Sequence, residues 1–434
     1  MAGGTFTARN KVRPGAYINF TAQPRPLGTV GERGTALLPL RLDYGPTGVM
    51  IPVRYDTDVR PLFGVDSGDA SLLLLRECAK RAQTVLVWRL GEAGEKASCT
   101  DSGLTVTALY GGEGGNAITV KIIEEEEAFL VETWLGTFLM DSQRVGAIDD
   151  LTDNALVTFS GTGPLTAHAG LVLAGGTTPE GSNADYDGFL TAAALADFET
   201  MALPTTESEV QQKTIQFVRR MREDEGKKIQ AVLPQCNADY EGIISVRNGV
   251  ILEDGTVIDK AAATAYLAGM TAGAQVNESC TYDKYDGAVD VDERLLDSEI
   301  IDALKAGHMV LTPRTDRVII EQDQNSLVSF TPEKTRVFAK NRTLRVLDQL
   351  ARDIQDIFER YYLGKATNNA DGRRLYQGEL LSYLRQLAEM SAIEEPENTD
   401  VTVSPGEDAD TVVVEMLVQP VDSMEKLYLT VTVA

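Results

Sequence analysis

The last twenty-five residues, Asp410–Ala434, constrain this chain more than any other stretch. Two apolar runs flank Pro420, and the second alternates without a break. Leu427, Leu429, Val431 and Val433 point one way; Tyr428, Thr430, Thr432 and Ala434 point the other. Period-two alternation in β-branched and aromatic residues predicts a half-buried strand. The sequence runs out inside that strand with no polar tail. Chain ends fray unless tied into a sheet, so the pattern predicts a partner, either the chain's own sheet or a neighbouring subunit's.

The remaining length sets the scale of the fold. At 434 residues the chain exceeds one hydrophobic core, which predicts about two to four domains. No apolar run approaches the length of a membrane span; Leu72–Leu75 and Thr84–Trp88 are among the longest, so membrane insertion is not expected. The N-terminus, MAGGTFTARNKVRPG, lacks the apolar core of a signal peptide, which predicts synthesis in the cytoplasm. Cys78, Cys99, Cys236 and Cys280 are scattered with no CxxC pair and read as free thiols.

The net charge of −25 argues against direct nucleic-acid binding, which needs basic stripes. The charge is also unevenly placed. Residues 1–41 carry six basic side chains against Glu32, a net of +5, whereas residues 393–434 carry ten acids against Lys426, a net of −9. Ends of opposite sign attract, within one chain or between copies. Two solvated termini of unlike composition would give the same count.

Along the chain, Ala16-Tyr17-Ile18-Asn19-Phe20 reads as a short strand between Gly/Pro punctuation, more an arm than a domain. Strands at Thr35–Leu40, Val49–Val53 and Thr84–Trp88 bracket a helix pattern at Ala70–Gln83, the signature of an α/β layer. From Ala97 to about Gly176, Thr, Gly and β-branched residues predict a small β-rich domain of short strands. From Asp187 to about Ser329 α/β order resumes, with helices predicted at Phe189–Met201, Glu207–Asp224, Lys260–Met270 and Ser298–Ala306. The last third predicts a long helix over Glu333–Tyr362 stopped by Gly364, a second at Gln377–Met390, and an acidic linker, Glu394–Asp400, before the closing strands.

Motifs for chemistry are sparse. His168 and His308 belong to no metal or catalytic spacing, and no GxSxG elbow occurs. Gly111–Asn116 is glycine-rich but leads into a strand and lacks a following Lys-Ser/Thr, so a hairpin turn is expected there and not a phosphate cradle. Gly364-Lys365-Ala366 lacks the rest of a nucleotide loop. The acids of Asp283–Glu293 miss the alternate spacing of a calcium loop. No catalytic, cofactor or metal residue is assigned, and assembly becomes the leading reading.

The order of segments resembles the contractile tail sheath proteins of myophages and phage-tail-like bacteriocins, in the Gram-positive defective-prophage style. The resemblance is carried by Phe338-Ala339-Lys340-Asn341-Arg342-Thr343-Leu344-Arg345-Val346-Leu347-Asp348, by Tyr362–Asn369 with Asp371-Gly372-Arg373, by Val418–Tyr428, and near the start by Arg13–Phe20 and Ala79–Leu90. It implies an α/β multidomain chain: an N-terminal linking arm (1–24), a discontinuous α/β sheath domain (25–96 and 181–330), an inserted β-rich outer domain (97–180), a helix-rich C-terminal α+β part facing the tube (331–400), and C-terminal strands with a linking arm (401–434). It further implies a non-enzymatic homo-oligomer of stacked rings forming a helical sheath in a virion tail or tail-like particle. An inner tail tube protein, a baseplate and a tail terminator would be its partners, with no cofactor. The intersubunit strands would be Ala16–Phe20 and Leu427, Tyr428, Leu429, Thr430, Val431, Thr432 and Val433, with hinges at Thr21–Gly28 and Glu394–Asp408.

One expectation concerns charge alone. Lys334, Arg336, Lys340, Arg342 and Arg345 form a basic group with no acid among residues 334–345, which predicts a face toward an acidic tube; ordinary helix-surface charge is the alternative reading. Another strand-exchanging tubular or surface-layer assembly, and an α/β enzyme with an unmarked site, remain open at this point.

Overall fold

In the computed structural model, Thr35–Leu40 lies inside a seven-stranded sheet ordered His308–Met309, Ile243–Val246, Gln230–Pro234, Thr200–Ala202, Thr35–Leu40, Thr84–Arg89, Met50–Arg54. Every neighbouring pair is parallel except the last. Residues 2–4, 15–17 and 28–433 are described, the first two stretches by backbone only. Parallel strands buried on both faces require apolar residues at successive positions, and alternation then sorts them. Ala36, Leu38 and Leu40 enter one core with Val232 and the wholly buried Ala263–Gly273 helix; Leu37 enters the other with Ala231, Leu233 and helices Asp185–Leu195 and Ser208–Glu223.

Residues 98–172 form a sandwich. A four-stranded sheet (Phe138–Val145, Phe129–Leu135, Ile118–Glu124, His168–Val172) faces a three-stranded one (Val157–Gly161, Leu104–Ala108, Ser98–Asp101), all antiparallel. Leu104, Val106 and Ala108 meet Ile118, Val120, Ile122, Val131 and Leu135 in its core. Gly111–Asn116 is not a hairpin turn. It carries the chain from one sheet of the sandwich to the other and holds a 3-10 turn, Glu113–Ala117. Its glycines serve a close approach: a Cβ on Gly112, whose φ is 124°, would lie 2.0 Å from the Asp43 carbonyl oxygen, and Gly114 donates its N–H to that oxygen at 2.9 Å. The buried Arg89 guanidinium closes the same junction, donating to the carbonyls of Leu42, Gly45 and Gly111 at 2.6–2.9 Å.

The chain divides into two compact units, Glu32–Arg352 with Pro420–Ala434, and Met1–Gly31 with Asp353–Gln419. In the smaller, the Ala370–Glu389 helix is capped by Asn369, whose side chain accepts from Gly372 N at 2.8 Å. The hairpin Val401–Pro405/Val412–Met416 packs against that helix. The expected helix over Glu333–Tyr362 begins later, at Asn341, and its end passes into a π turn, Phe358–Tyr362, before Gly364 at φ 68°. It starts late because the backbone ahead of it is engaged: Asn325 N donates to Ala339 O and Asn341 N to Asp323 O. The helix expected over Phe189–Met201 ends at Leu195, and Thr200–Ala202 is a central strand.

Candidate assembly interface

The Leu427–Val433 segment forms no strand among the described residues, and its large side chains stand exposed, Leu427 at 87%, Tyr428 at 90% and Val433 at 90%. The alternation has no partner within the chain. What holds the root of this segment is the larger unit. Lys340 Nζ lies 2.6 Å from Asp422 Oδ2 and 2.9 Å from Glu425 Oε2; Glu425 also accepts from Gln322 Nε2 at 3.0 Å and Thr281 Oγ1 at 3.2 Å. Burial alone would lower the Lys340 pKa, but the hydrogen bonds to Asp422 and Glu425 outweigh it and raise the pKa. Four contacts thus fix the chain up to Glu425, and the alternating segment begins one residue beyond Lys426.

The N-terminal stretch is rooted separately, in the smaller unit. Gly28 N donates to Glu379 Oε1 at 2.7 Å and Gly28 O accepts from Gln386 Nε2 at 3.0 Å; Gly31 N donates to Asp353, which also accepts from Tyr383 OH at 2.7 Å. Of the expected strand Ala16–Phe20, Ala16 and Tyr17 fall in Gly15–Tyr17, which pairs in parallel with Ala2–Gly4 of the same chain. Ile18, Asn19 and Phe20 lie outside the described residues.

The closing hairpin has two strands and an unpaired outer edge on each. Two strands alone are marginal in water, and open edges are templates for pairing. The acidic Glu394–Asp400 stretch, expected as a flexible linker, is instead laddered at both ends: Glu394 N donates to Gln419 O at 2.9 Å and Leu417 N to Asp400 O at 2.8 Å.

The basic group at 334–345 is largely spent inside the chain, which corrects the expectation that it forms one outward face. Arg345 is fully buried against Asp323 at 3.2 Å. Arg342 is buried too, donating to Asn277 O at 2.9 Å. Lys334 pairs with Glu241 and Lys340 with the two acids above, whereas Arg336 is exposed. Charge counted along the sequence missed the helical period, which turns Arg345, Asp348 and Arg352 inward. Asp348 receives a bidentate fork from Arg222 at 2.7 Å, and Arg352 pairs with Glu199 at 2.6 Å.

The other flagged residues have local roles. His308 Nδ1 lies 2.8 Å from Ser245 Oγ, and His168 Nδ1 accepts from Gly170 N. In the Asp283–Glu293 stretch, Asp283 and Asp286 pair with Arg81, Asp290 with Arg294 and Glu293 with Arg247; Ala288–Val291 is a strand. Among the described residues no cluster of His, Cys, Asp and Glu could hold a metal ion.

Comparison with known proteins agrees over nearly the whole length. Residues 33–90 match the domain III N-terminal region of the tail sheath protein Gp18, 92–180 the phage tail sheath β-sandwich domain, 180–326 the sheath central domain and 333–434 the sheath C-terminal domain. The crystal structure of a sheath tail protein from Desulfitobacterium hafniense superposes with a TM-score of 0.84 at 45% identity, covering 96% of this chain and 99% of that one. The phage-like element PBSX protein XkdK of Bacillus subtilis (strain 168) is 37% identical over 100% of both chains. The contracted helical sheath of the anti-feeding prophage shares the fold, with a TM-score of 0.60 at 13% identity, covering 97% of this chain and 99% of that one.

Proposed function

This chain belongs to the phage tail sheath family and is a subunit of a contractile tail sheath; on that premise we propose that its two terminal segments knit neighbouring copies into one mesh. The observation that carries this reading is the mismatch between an open-edged two-stranded hairpin and an alternating segment, Leu427–Val433, that stands exposed without a ladder. Each can supply what the other lacks. Strand addition gives main-chain hydrogen bonds worth about 0.5–1.5 kcal/mol each. Repeated over many identical copies, these hold neighbours together while whole subunits turn.

The copies stack as rings into a helical sheath around an inner tube protein, bounded by a baseplate and a tail terminator. The role is structural and non-enzymatic. Work is stored in the extended assembly and released once by rigid-body rearrangement of subunits, driving the tube through a target envelope. Ala16–Phe20 acts as the second linking strand. Of the basic group, the exposed Arg336 is the residue we assign to a partner's acidic surface.

Truncation after Lys426 tests the mesh, because it removes the alternating segment but spares Asp422 and Glu425. The expected result is an unchanged unfolding midpoint with loss of long cylinders in negative-stain micrographs. Cylinders formed at the normal yield would overturn the reading.

A further inference from the structure

Within the smaller unit lies a cavity of about 510 Å³ that the strand-exchange reading leaves unused. Its walls come from the π turn Phe358–Tyr362, the start of the Ala370–Glu389 helix and the turn of the closing hairpin. The floor is aromatic: the Tyr376 ring centroid lies 4.5 Å from that of Tyr362 and 5.7 Å from that of Phe358. Tyr362 is 93% buried by its 7% exposure, and its hydroxyl has no hydrogen-bond partner among the described residues. Buried hydroxyls ordinarily find one, and π turns concentrate at functional sites.

The mouth is built. Asn368 Nδ2 donates to the carbonyls of Ala409 and Thr411 at 2.9 and 3.0 Å, and Arg373 Nη1 donates to Asn368 Oδ1 at 2.8 Å. These bonds tie the hairpin turn to the helical elbow and hold the opening in shape. The cavity therefore adjoins the hairpin whose edges are open.

Charge selects between the two terminal segments as occupant. Residues 360–374, which supply much of the wall, carry Arg360, Lys365, Arg373 and Arg374 against Asp371, a net of +3 in a chain of −25. Residues 1–27 carry a net of +4 and would be repelled, whereas residues 420–434 carry a net of −1. Opposite potentials favour an encounter and like ones disfavour it. The C-terminal segment also offers side chains of the right kind, with Leu427, Tyr428 and Leu429 between 75% and 90% exposed.

We propose that this cavity receives an apolar or aromatic side chain from the Leu427–Val433 segment of a second copy, and that a backbone carbonyl beside that side chain accepts from the Tyr362 hydroxyl. The proposal rests on the reading that the segment crosses between copies, and adds where its side chain is gripped. The ladder supplies backbone pairing; the cavity fixes register, since a slip of one residue turns the wrong side chains inward.

Two measurements on the full chain test it. Ala366→Trp, at an exposed wall position, plugs the opening without touching the core. The expected result is an unchanged unfolding midpoint with assembly weakened about tenfold, the order expected for one lost apolar anchor. Benzoylphenylalanine at position 428, irradiated in assembled particles mixed from two isotopic forms, should crosslink between copies to peptides spanning residues 358–376. Normal assembly of Ala366→Trp, or crosslinks confined to other peptides, overturns the cavity assignment. If truncation after Lys426 stops assembly while Ala366→Trp does not, only the cavity fails. If the truncated chain assembles normally, the strand-exchange reading beneath it fails.

Discussion

Lys340 and Glu425, eighty-five positions apart, meet at 2.9 Å, and this ion pair marks where the tethered chain ends and the exposed segment begins. Asp422 sits on the same ammonium at 2.6 Å, so one lysine holds two turns of the C-terminal root. The lysine side chain is 21% exposed and Glu425 12%, a position between surface and interior where such pairs contribute up to about 1 kcal/mol. Lys340→Ala should therefore leave the thermal midpoint almost unmoved while amide exchange at Ser423–Lys426 rises about fivefold. High salt should mimic the variant in part, since the partly exposed pairs are screened. Unchanged exchange in the variant would show that Gln322 and Thr281 suffice as the anchor.

Arg222 and Asp348 make the opposite kind of pair, a buried fork with both contacts at 2.7 Å and side chains 5% and 9% exposed. Removing one partner strands a charge in the interior. Asp348→Ala should lower stability by about 3–5 kcal/mol, and the double variant Arg222→Met/Asp348→Leu should recover most of that loss. Urea unfolding of the three proteins measures the difference. A double variant as unstable as the single would mean that the Arg222 bond to Ile229 O, at 2.9 Å, matters more than the charge.

His308 gives the fold a pH dependence of defined sign. Burial first, then Arg247 and Lys260, lower its pKa below the ordinary 6.5. The folded state thus favours the neutral ring, and the unfolded state binds the proton more readily. Stability from this group is complete above the unfolded value and is lost as pH falls through about 6.5 toward the lower folded value. His308→Gln should flatten the difference in urea midpoint between pH 7 and pH 5.5 relative to the unmodified chain. Carboxylates titrating in the same range cancel in the comparison.

How much of this was legible in the sequence follows from where each side chain finds its partner. Thr35–Leu40 and Ile243–Val246 are continuous apolar runs buried on both faces, and their bounds can be read directly. Thr200–Ala202 could not be, because three central residues held by neighbours on both sides carry no period of their own. Phe138–Val145 escaped for the reverse reason: no residue in it is buried, so no alternation marks it. The segment Leu427–Val433 shows the strongest alternation of all and forms no strand within the chain, since periodicity reports the face a residue presents and not which copy covers it. The cavity behind Tyr362 was invisible at this level; its one sequence trace is the aromatic spacing of Phe358, Tyr362 and Tyr376 around Gly364.

Gly269 makes the last prediction, and there two effects oppose each other. It lies inside the buried Ala263–Gly273 helix, where alanine would ordinarily be preferred by about 1 kcal/mol. Yet a Cβ at Gly269 would stand 2.1 Å from the Cys78 carbonyl oxygen, and one at Gly273 would stand 2.1 Å from that of Arg81. Both oxygens are backbone, so neither can rotate away. The Ala263–Gly273 helix packs on the Leu73–Ala79 helix and on three strands of the central sheet, so separating the pair would shift the core that both line. Overpacking of this kind costs about 1–3 kcal/mol or more, beyond what helix propensity returns. Gly269→Ala should therefore destabilise the larger unit, seen as a lowered urea midpoint. Gly378, with open space around its Cα in the middle of the Ala370–Glu389 helix, is the matched control: Gly378→Ala should raise the midpoint of the smaller unit by about 1 kcal/mol. A stabilised Gly269→Ala would mean that the two helices part more readily than their backbone contact implies.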